Sequence, residues 1–176
     1  LTPMPELMET LYTRDDVLME CHIGGCTPKW EIHRPRREDL LEISSAFGNA
    51  EWLLHHALSY GYRPALCGCS DLHMGLLGGP RTLEPGRGRF YNYLRQRDAA
   101  YGTGPLTAVR CEALTRDSLF AALKSRRTYA TNGPRMVLDV LLNGAEPGQE
   151  LPESDSYAFS LSCAGTEPIR KVAVIS

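Results

Sequence analysis

Apolar and polar residues along this chain follow two recurring patterns. Apolar residues spaced three or four positions apart predict helices, and short apolar or alternating runs between turn residues predict strands. The predicted helices cover residues 5–13, 49–61, 91–102 and 115–127. The predicted strands cover residues 16–22, 39–45, 63–71, 106–114, 136–144, 157–163 and 171–176. Glycine and proline are frequent between residues 74 and 89, which predicts a long loop.

The order of these elements predicts an α/β fold. Strands and helices alternate up to residue 133, whereas strands separated by turns follow it. Such an order is typical of an α/β unit joined to a β-rich region. We therefore predict an α/β domain over residues 1–133 and a β-rich carboxyl-terminal segment, which we expect to be truncated, over residues 134–176.

Local signals also predict where two of the helices begin and end. Thr115 can cap the helix that follows it, with Asp117 and Ser118 completing the first turn. Gly61 follows the helical pattern of residues 49–60 and is expected to close that helix. Both predictions depend only on residues close together in the sequence.

Composition narrows the class of protein. The 176 residues carry a net charge of -2, and 43% of them are hydrophobic, as in one ordinary globular domain. The chain is slightly acidic and its arginines are scattered, so we expect no nucleic-acid partner. No apolar run reaches the roughly 18 residues needed to cross a bilayer, so we expect no membrane partner and a cytoplasmic location.

The six cysteines and the two ends of the chain suggest further expectations. The cysteines lack paired C-x-x-C spacing and the density of a disulfide scaffold, so we interpret most of them as small buried hydrophobic residues. The chain begins without an initiator methionine and ends on the apolar stretch "KVAVIS". We expect it to be a fragment of a longer protein.

An Asp-x-His pair is the strongest candidate for chemistry. Asp71 and His73 follow an apolar strand, and His22 ends another, so all three are expected at the carboxyl ends of parallel strands. Mixed ligation by histidine and aspartate suits zinc, manganese or iron better than calcium. The alternative is a capped polar turn that happens to contain a histidine.

Other polar residues have two interpretations each. Arg127 and Arg135 in "SRRTYATNGPR" could bind an anion, or the segment could simply end a helix and turn into the next strand. Glu42 could be a carboxylate at the rim of the site or a strand-end charge held by hydrogen bonds. His55 and His56 are expected to pack or to face solvent, and His33 is expected to lie in a basic loop.

Five segments of the chain occur in a characteristic order. In sequence they are "ECHIGG", "DLLEISSAFGNAEW", "ALSYGYRPALCGCSDLHMG", "LTAVRCEALTRDSLFAALKSRRTYATNGPR" and "VLLNG". This order resembles the carboxyl-terminal half of a PHP-like protein, of the polymerase and histidinol phosphatase superfamily of metal-dependent phosphoesterases. "CSDLH" and "RRTYATNGPR" carry most of the resemblance. It implies part of a distorted (β/α)7 barrel, a partial TIM-like barrel, with two or three metal ions at the carboxyl ends of its strands.

Within that resemblance, His22 matches the histidine late in the ligand series, and Asp71 and His73 match its closing Asp-x-His pair. The chain has no His-x-His pair for the first strand of the pattern and no matching bridging glutamate. The resemblance thus supplies three ligands of a larger set. We expect their coordinating atoms to lie within roughly 5 Å of one another, because direct metal bonds are about 2.0 to 2.2 Å long.

Two hypotheses about function follow. In the first, the parent protein is a metal-dependent hydrolase of small phosphorylated substrates, with zinc, manganese or iron on His22, Asp71 and His73 and with Arg127 or Arg135 binding the anion. In the second, it is a catalytically inactive PHP-like binding or structural module. Either way we expect the 176-residue piece to be inactive alone and to be completed by a missing amino-terminal half or a partner chain.

Overall fold

A computed structural model of the protein describes residues 4–22, 28, 30, 39–45, 48–69 and 105–174. These residues form three helices, α1 (Met4–Tyr12), α2 (Glu51–Ser59) and α3 (Arg116–Lys124). The first five strands are β1 (Glu20–Cys21), β2 (Leu40–Ser45), β3 (Gly48–Asn49), β4 (Ala65–Cys69) and β5 (Leu106–Val109). The last three are β6 (Thr128–Thr131), β7 (Val137–Leu142) and β8 (Phe159–Ala164).

The strands form three separate sheets rather than part of a barrel. One sheet has four strands, and β5–β6 and β7–β8 each form a two-stranded antiparallel sheet. The described strands thus do not continue one parallel sheet, so the prediction of part of a distorted (β/α)7 PHP-type barrel is wrong. The predicted boundary at residue 133 stays a prediction.

The pairing of β5 with β6 explains the error. The two strands flank α3 in the sequence, which is the order that predicts a parallel β-α-β crossover. In the structure Val109 pairs with Thr128 in an antiparallel ladder, and the Arg110 amide extends it by donating to the Arg127 carbonyl at 2.9 Å. These strands are therefore the arms of a hairpin whose connection carries a helix.

The four-stranded sheet has β2 at its centre. β1 and β4 both run parallel to β2, with Cys21 opposite Leu41 and Leu41 opposite Leu66. β3 pairs antiparallel with the end of β2. Because partners across a ladder share a face, Leu41 and Cys21 lie on one face while Leu40 and Glu42 lie on the other.

The first face packs against α2. Leu53 and Ala57, four residues apart and both 0% exposed, form the buried side of this helix. Gly61, with φ of 81°, lets the chain leave the helix in the left-handed region, as the sequence predicts. Seven buried residues form this core, namely Cys21, Trp30, Leu41, Ala50, Leu53, Ala57 and Tyr62.

The second face holds a smaller apolar cluster and the polar residues described below. Leu40, Ala65 and Cys67 are buried here, with Leu18 and Leu123 packed against them. Leu123 belongs to α3, whose cap is the predicted one, since the Thr115 hydroxyl accepts the Ser118 amide at 3.2 Å. This helix therefore begins where its local signals predict and also covers the second face.

The carboxyl-terminal strands match the predicted β-strands only in part. Tyr129 of β6 donates its hydroxyl to the Met136 carbonyl at 2.6 Å and accepts the Leu138 amide at 3.3 Å, which ties β6 to β7. Residues 171–174, within the predicted strand 171–176, are exposed and form no strand, so that prediction is wrong for them. Strand conformation needs a ladder partner, and the described residues supply none there.

None of the three helices in the described part of the chain could span a lipid bilayer.

Candidate functional site

A row of polar side chains crosses the second face of the parallel sheet. Cys21 lies opposite Leu41, so His22, the next residue, is level with Glu42. Glu42 in turn lies opposite Cys67 of β4. Because side chains two apart on a strand share a face, Glu20 lies on this face as well. Residues from three strands thus meet where β1 reaches its carboxyl end.

Glu42 is the buried centre of this row. It is the third residue of β2, its side chain is 0% exposed, and its Oε2 is hydrogen-bonded to Nδ1 of His22. A buried carboxylate is costly unless other groups stabilise its charge, so this bond compensates part of the cost. This contact reaches a residue just beyond the neighbouring strand β1, and the role of Glu42 as a carboxylate at the rim of the site stays a prediction.

His22 connects this buried carboxylate to the surface. Its side chain is 49% exposed, although the atom that contacts Glu42 is directed into the protein. A hydrogen bond to Nδ1 sets the orientation of the imidazole and makes Nε2 the nitrogen suited to a metal. The geometry therefore matches the way in which metal-binding histidines are held in place.

Cys67 and Glu20 complete the row. The Cys67 thiol donates to Oε1 of Glu20 at 3.2 Å. Burial raises the pKa of Cys67 far above its ordinary value, and the nearby charge of Glu20 raises it further, so the group is a neutral thiol at neutral pH. The sequence interpretation of most cysteines as buried is wrong for the described ones, since Cys21 and Cys67 are buried whereas Cys69 is exposed and Cys111 and Cys163 are half-buried. The sequence interpretation also missed Glu20. Glu20 could have been found from its position two residues before His22, because residues two apart on a strand share a face.

This environment predicts selective alkylation of the two cysteines of β4. In the folded chain at neutral pH, iodoacetamide is expected to label Cys69, which is exposed, well before Cys67. Alkylation requires a thiolate and access, and Cys67 lacks both. Mass spectrometry of the digested chain measures each site, and the two sites should react alike in denaturant. Equal labelling of both residues in the folded chain would contradict the assignment.

The other two predicted metal ligands, Asp71 and His73, lie outside the described residues. β4 ends at Cys69, two residues before Asp71. Among the residues that the structure describes, no group of three or more His, Cys, Asp or Glu side chains is arranged to hold a metal ion. The convergence of His22 with Asp71 and His73 therefore stays a prediction.

The two predicted anion-binding arginines occupy different places. Arg127 is half-buried just before β6, and its Nε has no hydrogen-bond partner within the described part of the chain. Arg135 is exposed in the connection between β6 and β7. Their role with a phosphorylated substrate stays a prediction.

Of the three remaining histidines, two lie in α2 and one lies outside the described residues. His55 and His56 both have exposed side chains. Nδ1 of His56 also accepts the Trp30 indole N–H at 3.2 Å, so this histidine packs at the edge of the first core. Both positions agree with the expectation of packing or solvent contact. His33 lies outside the described residues.

Comparison with known proteins finds similarity without an assigned activity. Residues 80–160 match a family described as a protein of unknown function, DUF3604. An uncharacterized protein of Chlamydia pneumoniae is 35% identical over 95 residues, which is 51% of this chain and 15% of that protein. An uncharacterized protein of Chlamydia trachomatis is 32% identical over 91 residues, or 48% of this chain and 15% of that protein.

These similarities cover limited parts of each protein. The chain matches only 15% of the length of the curated relatives, and the family match begins after His22, Asp71 and His73 in the sequence. No solved structure matches the chain.

Proposed function

We propose that the protein represented by this chain is a metal-dependent hydrolase of phosphate esters, with His22, Asp71 and His73 as metal ligands. The observation that carries the proposal is the contact between Nδ1 of half-exposed His22 and the fully buried carboxylate of Glu42. The order of motifs resembling PHP-like phosphoesterases supports the same chemistry. The substrate is a small phosphorylated molecule.

The residues present fit a divalent transition metal such as zinc, manganese or iron. Imidazole nitrogen together with aspartate oxygen is a donor set that suits these ions. A carboxylate behind the imidazole keeps the ring oriented and makes it a better donor, as is general for histidine ligands. Glu42 is placed to do this, since it contacts the ring nitrogen on the protein side of His22.

A bound divalent ion would supply a water of lowered pKa and would offset negative charge on a phosphoryl oxygen. The chain's own residues then have separate tasks in the proposal. Glu42 orients His22, and Asp71 contributes the negative charge of the ligand set. Arg127 or Arg135 binds the phosphate through charge-assisted hydrogen bonds. The rest of the longer protein, or a partner chain, completes the ligand set.

The proposal is tested on the full-length protein. Elemental analysis after loading with manganese or zinc measures bound metal, and hydrolysis of a generic phosphomonoester and a phosphodiester measures activity. We expect bound metal together with hydrolysis of one of the two esters. A full-length protein that binds no transition metal would refute the proposal and favour the structural or binding module.

Glu42→Gln is expected to lower the metal affinity of the full-length protein by about ten- to a hundredfold. The amide has the shape of the carboxylate, but it lacks the charge that strengthens the His22 ligand. Competition with a chromogenic chelator measures the affinity.

Glu20→Gln is the matched control, because Glu20 shares the face but contacts Cys67. We expect its metal affinity to equal that of the wild type. Equal losses in both variants, or no loss in Glu42→Gln, would contradict the assigned role of Glu42.

A further inference from the structure

A second polar site lies at the other end of β4 from the proposed metal ligands. Arg63 and Pro64 precede this strand, whereas Asp71 and His73 follow it in the sequence. Arg63 and Pro64 line a cleft of about 580 Å³ together with Arg126, Gly148 and Glu150. A five-residue strand spans about 16 Å, so the cleft is separated from the carboxyl end of β4 by that distance.

Two arginines from different elements converge on one carboxylate in this cleft. Arg63, between α2 and β4, places Nη1 at 2.7 Å from Oε1 of Glu150. Arg126, between α3 and β6, places Nη2 at 3.7 Å from the same oxygen. Glu150 belongs to the connection between β7 and β8, so residues distant in the sequence form the cluster.

The backbone conformation and the contacts of Arg126 together fix where its side chain lies. Arg126 lies just after α3 with φ of 60°, a left-handed conformation that glycine adopts more easily than arginine. Its guanidinium donates to the Gly148 carbonyl at 2.9 Å and to the Arg63 carbonyl at 3.4 Å. These contacts direct the side chain into the cleft and offset the cost of the backbone conformation.

Gly148 allows the connection carrying Glu150 to approach this closely. Its φ is 91°, and an added Cβ would lie 2.0 Å from the Ser125 carbonyl oxygen. The close approach places Glu150 against the two guanidinium groups. The pKa of Glu150 is lowered, first by the hydrogen bond from Arg63 and then by the charge of Arg63, so the resident carboxylate stays ionised at neutral pH.

The charges of the cluster do not cancel. Two guanidinium groups carry two positive charges, whereas Glu150 supplies one negative charge. A phosphate group carries up to two negative charges and several acceptor oxygens, and guanidinium forks bind such groups through paired hydrogen bonds. A phosphate therefore matches the two arginines better than the single carboxylate does.

We propose that the cleft between Arg63 and Arg126 binds a phosphate-bearing ligand and that this ligand displaces the exposed carboxylate of Glu150 from the two arginines. The site goes beyond the proposed hydrolase function, because it lies at the opposite end of β4 and uses no metal ligand. Displacing Glu150 would release the connection between β7 and β8 from the arginines. Ligand binding at this cleft is thus coupled to the position of that connection.

Inorganic phosphate is the probe, titrated by calorimetry into the chain in a chelator-containing buffer so that metal ions do not contribute. Glu150→Gln is expected to bind phosphate about five- to tenfold more tightly than the wild type, since it removes a competing negative charge close to the ligand. The control Glu153→Gln changes an exposed glutamate on the same connection and should leave the affinity unchanged.

Arg126→Gly removes one guanidinium while suiting the backbone conformation, since glycine accepts a φ of 60° without strain. We expect it to lose phosphate binding while the thermal unfolding transition stays cooperative. Arg63→Ala should lose binding as well. The proposal is overturned if neither the wild type nor Glu150→Gln binds phosphate, if Glu150→Gln binds no more tightly than Glu153→Gln, or if Arg126→Gly binds as the wild type does.

Discussion

Asp71→Ala is expected to abolish hydrolysis by the full-length protein and to remove its tightly bound metal. Asp71 is the only carboxylate among the three proposed ligands, so the substitution removes one metal bond and one negative charge together. Elemental analysis and the rate on a phosphate ester are measured on the same sample. Wild-type activity in Asp71→Ala would refute the assignment.

Arg135→Ala provides the contrast for this prediction. Arg135 is exposed and is proposed to contact the phosphate of the substrate rather than the metal. Its replacement should leave metal content unchanged and raise KM for a phosphorylated substrate, because a charge-assisted hydrogen bond is lost. Loss of metal in Arg135→Ala would contradict this division of roles.

Gly68→Ala is expected to destabilise the folded chain by about 3 kcal/mol. Gly68 lies in β4, where an added Cβ would be 2.8 Å from the Leu106 carbonyl oxygen and 3.1 Å from the Leu106 amide nitrogen. Both atoms belong to the backbone of β5, so β4 and β5 must move apart to relieve the clash. Urea unfolding measures the change in the free energy of unfolding.

The same movement disrupts polar contacts between β4 and β5. The Thr107 hydroxyl accepts the Gly68 amide at 3.0 Å and donates to the Gly68 carbonyl at 2.9 Å. Both bonds lengthen when the strands separate, which leaves backbone groups poorly hydrogen-bonded.

Gly61→Ala is the matched control for Gly68→Ala. Gly61 has φ of 81° and no atom within 4 Å of an added Cβ, so only backbone strain of about 1 kcal/mol applies. Equal destabilisation by the two substitutions would contradict the steric explanation for Gly68.

The helices show which features could be predicted from local sequence. α3 begins after Thr115 because its cap, first turn and apolar spacing involve residues within a few positions of one another. The same holds for α2, whose buried residues Leu53 and Ala57 are four apart and whose end is marked by Gly61. Strand β2 was predictable as well, since "LLEISS" is a short run bounded by polar and turn residues.

Strand direction could not be predicted in the same way. The order strand, helix, strand around α3 indicated a parallel crossover, but β5 and β6 are antiparallel. The direction depends on which backbone groups meet after the chain turns, and these groups are about 20 residues apart. Local periodicity contains no information about that pairing. The partial barrel that the resemblance implied is wrong for the same strands, because they pair in the opposite direction.

The residues of the candidate site also differ in whether local sequence identifies them. His22 could be selected because it is a histidine at the end of an apolar strand, a property of its immediate neighbours. Its partner Glu42 lies 20 residues away, and only the register of β1 against β2 sets the two side chains level on one face. Without that register, the sequence left Glu42 between two interpretations.

The sequence by itself determined the start of α3 after Thr115, the end of α2 before Gly61, the main strand segments and the residue types capable of metal chemistry. All of these follow from side-chain periodicity, caps and chemical identity within short stretches. Only the tertiary structure decided the antiparallel pairing of β5 with β6, the contact of His22 with Glu42 and the convergence of Arg63 and Arg126 on Glu150. Their cause is physical, because packing and ladder hydrogen bonds join residues that are far apart along the chain and have no local signal in common.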